Sequence, residues 1–598
     1  MKKCDLVMKG GVTSGIVYPG AICELAKEYS FANIGGTSAG AIAASLTAAA
    51  EYRRRADGSD EGFRQLAELP LRLSETEEGV PLLRRLFQPD EASTGLFDVL
   101  TAAMGARPGF RRRLAAGVAM MLRRFHRFSS MVAAVVVLLM GIVIWLGFRE
   151  SFLASAVASS VILAISGAVL FVLAAFAEAC SRGWRILPGH GFGLCSGRTV
   201  GDPSNAGLTD WLTETIESIA GRSGGSDPLT FGDLRTIDGG SAKSRTINLE
   251  MMTTNLTHGR PYRFPLQRRT FYFAASEMRR LFPRAIVDWM IARSRTTTHR
   301  GRPHLLPDRE ELLALPAAAD LPIVVATRMS LSFPILLSAV PLYAFDFGRR
   351  GSERKLERCW FSDGGLTSNF PVHFFDAPLP RWPTFAFNLA EKSDRYHEKG
   401  QRIHLPRSNS GGLLEWWTDI ETLPQFLGSI IATMQNWRDS MLLRMPGQRD
   451  RIAHVLLSQG EGGLQLTMPP DTIEDVARRG AEAAAVLRKR FGDAPPDDEV
   501  LTWRNHKWVR FRAFMRAMEG AGSSCARAFD DEAAPPSFRQ LLDGPQPSYA
   551  VRPEALATMK KVACAFIDNA AREFAAGPFR APRRQPKPVA VLRTMPEE

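Results

Sequence analysis

The sequence predicts an α/β fold: a parallel sheet with helices on both faces, an inserted hairpin of two long apolar helices, and a mainly helical C-terminal extension. Near the amino terminus, residues 5–8 and 31–34 are short apolar runs typical of buried strands, and each is followed by a glycine-rich turn and an apolar helical stretch. Such repeated strand-turn-helix units are typical of parallel sheets. Beyond about residue 400 the apolar residues recur with helical spacing, which predicts the extension.

The second turn contains the sequence Gly36-Thr37-Ser38-Ala39-Gly40 directly before a predicted helix. Gly36 and Gly40 allow the backbone to turn sharply from a strand into a helix, which exposes the serine hydroxyl for attack. Ser38 is therefore the candidate nucleophile. The same pattern also occurs by chance at helix starts rich in small residues, where its role is structural only.

The first turn reads Gly10-Gly11-Val12-Thr13-Ser14-Gly15. In a parallel sheet this turn opens into the same crevice as the serine turn, so its backbone N–H groups can hold the oxyanion of an acyl transfer. Similar turns bind phosphate in nucleotide-binding proteins, but the Gly-Lys-Ser/Thr ending of those loops is missing here. We therefore predict an oxyanion loop.

The base that activates Ser38 must come from a distant part of the chain. In α/β-hydrolases the nucleophile follows several strands, and a histidine comes last in chain order. An elbow at residue 38 leaves no room for those strands, so a carboxylate is the alternative base. Asp363 follows the apolar run 359–361 and precedes two glycines, as expected at a strand end. His373 is the alternative base of a histidine triad, although a structural role is commoner in such a position.

These three motifs, in this order, resemble those of the patatin-like phospholipase family. The resemblance covers about residues 4–390 apart from an inserted segment, and it extends through residues 252–257 and 330–334. It implies a Ser-Asp dyad without histidine, in which Ser38 attacks an acyl carbonyl and Asp363 accepts its proton. It implies no cofactor and no metal. It also assigns the oxyanion donors to Gly10, Gly11 and Val12, and the motif glycines to Gly15, Gly36, Gly40, Gly364 and Gly365.

The first turn departs from the family pattern of three glycines, a variable residue, a basic residue and glycine. Val12 and Ser14 replace the third glycine and the basic residue. A β-branched valine disfavours positive φ, and without the basic side chain the loop lacks a charge that could meet an anionic head group. A noncatalytic, membrane-associated scaffold or regulatory protein on the same fold is therefore the second interpretation.

Two long segments without charged side chains, residues 128–148 and 151–177, are separated by Arg149 and Glu150. Each is long enough to cross a hydrocarbon core of about 30 Å as a helix. We therefore predict a transmembrane hairpin, with a shallow re-entrant insertion as its main variant. The alternative is a hairpin packed inside a soluble protein or at an oligomer interface.

Arginines flank the hairpin on both sides. The positive-inside rule therefore places both flanks, and the catalytic motifs, on the cytoplasmic side of the inner or cytoplasmic membrane. The flanking arginines are Arg111, Arg112, Arg113, Arg123, Arg124 and Arg127 before the hairpin, and Arg182 and Arg185 after it.

The net charge of +13 favours an anionic partner. The sequence contains no zinc-finger spacing, ribonucleoprotein motif or recognition-helix pattern, so we expect phospholipid or another acyl lipid, and not nucleic acid, as the partner. Seven scattered cysteines do not suggest a disulfide framework. We expect no signal peptide at the amino terminus, and the histidines show no metal-ligand spacing. The sequence does not indicate an oligomeric state.

We predict a catalytic domain at residues 1–50 and 212–395, a helical insertion at 51–211, a mainly helical extension at 396–576, and a basic, proline-rich, disordered tail at 577–598. Two further apolar runs, 321–326 and 384–389, predict strands. A long helix is predicted at residues 413–445, and we expect its tryptophans to pack in the core.

Overall fold

The structure is a computed structural model. It describes residues 1–598 except for residues 12, 106–109, 150–152, 223, 226, 237–246, 268–269, 296–297, 300–301, 304, 307–309, 347, 349–355, 413–416, 418, 459, 464, 532, 534, 547, 550, 581–584 and 593–598.

The chain divides into two compact units. The first consists of Met1–Pro371, Phe387–Ile403 and His454–Ala485, and it contains all three sequence motifs. The second consists of Val372–Ala386, His404–Ala453 and Val486–Glu598.

Within the described part of the chain, the main sheet has eleven strands. Its strands are β1 Lys2–Met8, β2 Tyr29–Gly36, β6 Asn248–Asn255, β7 Arg260–Phe264, β8 Tyr272–Ala274, β11 Leu312–Ala314, β13 Val340–Phe345, β14 Leu356–Asp363, β15 Thr384–Glu391, β16 Ile403–His404 and β17 Ile452–Leu457. The order is β11-β8-β13-β14-β6-β2-β1-β15-β17-β16, and β7 pairs with β6. Short strands form separate pairs: β3 Thr76–Glu77 with β4 Val80–Pro81, β5 Gly193–Cys195 with β12 Ile335–Leu337, and β9 Thr298–His299 with β10 Arg302–Pro303.

The centre of the main sheet is parallel, as predicted. β1 pairs with β2, and β2 pairs with β6, in parallel register. Met8 lies opposite Gly36, and Gly36 lies opposite Met251, so the turns after β1 and β2 leave the sheet at one edge. β14 runs antiparallel to β6, and its last residue, Asp363, pairs with Thr253 near that edge. The predicted α/β class is confirmed, and the sheet as a whole is mixed.

Helices make up most of the remaining described structure. In the first unit they are α1 Val17–Ala26, α2 Ala39–Asp57, α3 Glu61–Ser74, α4 Leu82–Arg85, α5 Thr94–Gly105, α6 Phe110–Arg124, α7 Arg127–Arg149, α8 Leu153–Ile186, α9 Leu208–Ile219, α10 Asp233–Thr236, α11 Ala275–Arg279, α12 Arg284–Arg293, α13 Ile323–Ser330 and α15 Pro470–Arg490, whose last turn enters the second unit. In the second unit they are α14 Leu423–Leu443, α16 Trp503–Phe529, α17 Phe538–Asp543 and α18 Pro553–Glu573. The helical C-terminal region is therefore confirmed.

The two longest apolar helices, α7 and α8, pack against each other in opposite directions. Near one end of the pair the Ser129 hydroxyl donates to the Phe171 carbonyl oxygen at 3.0 Å, and the Phe128 N–H donates to Glu178 Oε2 at 3.2 Å. Both helices are long and apolar enough to cross a membrane. Most of their large apolar side chains are exposed, including Trp145 at 59% and Ile162 at 66%. A helix in a soluble core would bury these side chains.

Two predictions of local structure are wrong: the strand at residues 321–326 and the core packing of Trp417 and Trp437. The apolar run 321–326 predicts a strand, but residues 323–330 form helix α13 after Pro322. Every residue of α13 is buried, so its apolar run has no helical periodicity and cannot be distinguished from a strand. The helix predicted at 413–445 is observed at Leu423–Leu443, and Trp416 lies outside the described residues. Trp417 and Trp437 do not pack in a core, since they are 76% and 65% exposed.

Candidate active site

Ser38 lies between β2 and α2 with a strained backbone. Its φ of +54° is rare for a residue with a side chain, and such strain is common at functional sites. A methyl group at Gly36 would lie 2.3 Å from the carbonyl oxygen of Gly40, and one at Gly40 would lie 2.3 Å from that of Met8. Both motif glycines are therefore required by the close approach of backbone on either side of the serine.

Asp363, the last residue of β14, is 4% exposed. Its Oδ1 atom accepts a hydrogen bond of 2.7 Å from the Gly365 N–H, and its own N–H donates to the Ser332 carbonyl oxygen at 2.9 Å. Burial raises the pKa of Asp363 from 3.8 to about 7, against smaller opposing effects of hydrogen bonds from Ser38 and Gly365. A carboxyl with this pKa is a competent proton acceptor at neutral pH.

The structure brings the side chains of Ser38 and Asp363 together. The Ser38 hydroxyl acts on the carboxyl as a hydrogen-bond donor and lowers its pKa. The second carboxyl oxygen, Oδ2, is buried and has no partner that meets strict hydrogen-bond geometry among the described residues. Contacts of this kind are often long in unliganded enzymes and tighten when the substrate binds.

The first turn lies directly against the serine. A methyl group at Gly10 would lie 3.0 Å from Ser38 Cβ. The Gly10 N–H already donates to the Asn369 carbonyl oxygen at 2.8 Å, so this predicted oxyanion donor is engaged. The Gly11 N–H has no acceptor among the described residues. Val12, the third predicted donor, lies outside the described residues.

Two residues without a predicted role connect the motifs. The carbonyl oxygen of Asn369 accepts from the Gly10 N–H and, at 3.1 Å, from the Thr37 hydroxyl. It thereby joins the first turn and the serine turn to the loop after Asp363. The hydroxyl of Ser330 accepts from the Ser38 N–H at 3.1 Å. Ser330 belongs to a segment covered by the family resemblance, but its spacing in the sequence carries no signal of this contact.

A buried arginine holds the loop that follows α13. Arg328 is 0% exposed and donates to the hydroxyl of Ser332 at 2.6 Å and to the carbonyl oxygens of Ser196 and Ser338, both at 3.0 Å. Burial lowers the pKa of Arg328 to about 10, so the guanidinium stays charged at neutral pH. The carbonyl oxygen of Ser332 accepts from the Asp363 N–H, so Arg328 helps to hold the candidate base in position through Ser332.

A cavity of about 550 Å³ opens beside the first turn, with Gly10, Asn369, Lys9 and Arg113 among its lining residues. A smaller apolar cavity of about 80 Å³ lies next to Ala39 and is lined almost entirely by aliphatic and aromatic side chains. The part of the chain that the structure describes contains no group of three or more potential metal ligands.

Comparison with known proteins gives two matches. The family model described as "Patatin-like phospholipase" matches residues 6–128, which include both glycine turns and Ser38. A protein of Rhizobium meliloti (strain 1021), named RpoH suppressor, is 34% identical over 634 residues, covering 96% of this chain and 93% of that protein. The chain belongs to the patatin-like phospholipase family, a family of lipid hydrolases.

Proposed function

We propose that the protein is a membrane-anchored serine hydrolase that cleaves carboxylic esters of lipids, phospholipids foremost, with Ser38 as nucleophile and Asp363 as general base. The observation that carries the proposal is the buried carboxyl of Asp363, whose pKa is raised to about 7 beside the strained serine. An ordinary aspartate, with a pKa near 4, accepts a proton from a hydroxyl poorly. Desolvation makes Asp363 the better base.

In the first half of the reaction, Ser38 Oγ attacks the acyl carbonyl carbon while its proton passes to Asp363. The resulting oxyanion is stabilised by backbone N–H groups of the first turn, of which Gly11 is the described candidate with an unengaged donor. Collapse of the tetrahedral intermediate breaks the ester C–O bond. The leaving alcohol takes the proton from Asp363, and the acyl group stays on Ser38.

In the second half, Asp363 removes a proton from a water molecule, which attacks the acyl-enzyme. Collapse of the second tetrahedral intermediate releases the fatty acid, and the proton on Asp363 returns to Ser38 Oγ. The same carboxylate therefore serves as base and acid in each half, which suits a pKa close to the working pH. These reaction steps require no metal or organic cofactor.

The exposed apolar surface of α7 and α8 supports a membrane anchor. The two helices run in opposite directions, so both ends of the hairpin lie on one side of a bilayer that it crosses. Arginines stand at both ends, as the positive-inside rule expects for the cytoplasmic side of the inner membrane. On this proposal, residues 51–211 form an insertion that holds the catalytic domain of residues 1–50 and 212–395 at the membrane surface.

The alternative is a noncatalytic membrane scaffold or regulator on the same fold. It is supported by the altered first turn, in which the Gly10 N–H is engaged by Asn369. A protein of this kind would keep the family fold and the hairpin but would not form an acyl-enzyme.

The test is covalent labelling of the purified full-length protein by a fluorophosphonate, together with fatty-acid release from mixed phospholipid vesicles. We expect the wild type to be labelled and active, Ser38→Ala to be inert, and Asp363→Ala to react at least about 100-fold more slowly. His373→Ala, the matched control, should resemble the wild type. Equal labelling of wild type and Ser38→Ala would eliminate the enzyme. Activity that survives loss of Asp363 but not of His373 would favour a triad.

A further inference from the structure

The cavity beside the first turn has a cationic wall that comes from two distant parts of the sequence. Lys9 precedes the turn, and Arg113 belongs to helix α6, which precedes the hairpin. Gly10, which lies against the side chain of Ser38, lines the same cavity. A group bound there would therefore sit beside the reacting ester.

Position 14, where the family resemblance implies a basic residue, carries the short uncharged side chain of Ser14 in this chain, and Ser14 lines the same cavity. Ser14 is 4% exposed, and a methyl group at Gly462 would lie 3.3 Å from its Cβ. The covering loop is held in place, because the Gly463 carbonyl oxygen accepts from both the N–H and the hydroxyl of Thr13, at 3.1 and 3.2 Å. Ser14 therefore brings no positive charge to the cavity, and another residue has to supply it.

Arg113 is placed to supply that charge. Its side chain is exposed, and no acidic side chain forms an ion pair with it among the described residues. Arg112 is exposed on the same helix but does not line the cavity. Since successive residues of an α-helix point about 100° apart, the two arginines face different directions.

The charges of the lining side chains favour a ligand with a single negative charge. Lys9 and Arg113 are opposed by Glu391, which leaves one net positive charge on the lining side chains. This matches the single negative charge of a phosphodiester better than the charge of about −1.5 to −2 on a phosphomonoester. Guanidinium groups bind phosphate oxygens in a bidentate manner. α6 ends at Arg124, three residues before the first apolar helix, so Arg113 belongs to the segment that leads into the hairpin.

We propose that Arg113 binds the phosphodiester of a glycerophospholipid substrate and so determines the preference of the site for phospholipids over uncharged esters. This inference rests on the proposed function. Arg113 acts as a specificity-determining residue contributed by the segment that carries the hairpin, in place of the basic residue missing from the first turn.

The test uses two short-chain substrates below their critical micelle concentration, which removes the effect of membrane attachment. Dihexanoylphosphatidylglycerol and dihexanoylglycerol carry the same acyl groups, and only the first has a phosphodiester. For Arg113→Gln we expect kcat/KM on the phospholipid to fall about tenfold, the loss typical of a charge-assisted hydrogen bond, and kcat/KM on dihexanoylglycerol to stay within about twofold. Arg113→Lys should recover part of the loss, and Arg112→Gln should behave as wild type.

An equal fall on both substrates, or the same effect from Arg112→Gln, would overturn the assignment. Inhibition of dihexanoylglycerol hydrolysis by millimolar inorganic phosphate that depends on Arg113 would also overturn it, since the cavity would then be a site for free phosphate. Calorimetric binding of dihexanoylphosphatidylglycerol to Ser38→Ala, with and without Arg113→Gln, gives a readout without catalysis. Binding that weakens about tenfold supports the site even if the wild type hydrolyses nothing, and unchanged binding refutes it.

Discussion

Replacing Asp363 with asparagine should abolish activity and at the same time stabilise the folded protein at neutral and alkaline pH. The substitution keeps the shape of the side chain, and the amide oxygen can still accept from the Gly365 N–H. It removes the negative charge that Asp363 carries in a buried site, where the charge is poorly solvated.

The magnitude follows from the pKa of Asp363. Burial raises it from 3.8 to about 7, a shift of about three units. At about 1.4 kcal/mol per unit, ionising this carboxyl in the folded state costs about 4 kcal/mol more than in the unfolded chain. Below pH 4 both states are protonated and the cost is absent. As pH rises from 4 to 7 the unfolded state ionises first, so the stability of the wild type falls, and above pH 7 the full cost is present.

The assay compares thermal unfolding of wild type and Asp363→Asn in the same detergent from pH 5 to pH 8. The advantage of the variant should grow with pH to about 4 kcal/mol, or about 4 °C in Tm for a unit of several hundred residues. In parallel, kcat/KM of the wild type should rise tenfold per pH unit and level off above about pH 7. A difference in Tm that is constant with pH, or a kcat/KM profile that is flat above pH 5, would refute the reasoning.

Three further predictions concern the serine turn and the hairpin. Ser330→Ala removes the acceptor of the Ser38 N–H, so kcat should fall about tenfold with KM unchanged, as measured by steady-state hydrolysis. Gly40→Ala places a methyl group 2.3 Å from a carbonyl oxygen of β1 and should cost at least about 2 kcal/mol of unfolding free energy, whereas Gly428→Ala, with open space around it, should stabilise by about 0.5–1 kcal/mol. Val137→Arg on the exposed face of α7 should cost about 3 kcal/mol of insertion and reduce the fraction that carbonate washing leaves in membranes.

The sequence predicts those parts of the site that depend on local structure. Ser38 follows an apolar strand, Asp363 is the last residue of another, and both stand beside glycines, so short segments suffice to place them at strand ends. The parallel pairing of β1 and β2 follows from the strand-turn-helix order. The structure then shows that both residues reach one edge of the sheet.

The contacts that join the motifs could not be predicted, because they connect residues far apart in the sequence. Asn369 meets Gly10 across more than three hundred residues, and no periodicity or motif encodes that contact. Arg113 stands in a run of three arginines before the hairpin, and the sequence pattern predicts the same role for all three, as positive charges that flank a membrane segment. Only the structure separates the one that lines the cavity from its neighbours.

The segment that carries the hairpin is closed at its base by direct bonds. Pro89, before the hairpin, forms an antiparallel bridge with Cys195 after it, and the Ser93 hydroxyl donates to the Leu194 carbonyl oxygen at 2.6 Å. Because the two ends are already joined, a long excursion between them costs little additional conformational entropy. This explains how the fold tolerates two long helices between the serine turn and the rest of the sheet.

The strand that leaves the hairpin is also part of the support of the dyad. β5, which contains Cys195, pairs in parallel with β12, and the next residue, Ser196, accepts from Arg328. The same guanidinium donates to Ser332, whose carbonyl oxygen accepts from the Asp363 N–H. Any displacement of the hairpin exit must therefore break a bond to a buried charged group or move the loop that holds Asp363. Since a hydrogen bond from a charged donor contributes about 1.5–3 kcal/mol, this bond couples the exit strand to the loop that holds the candidate base.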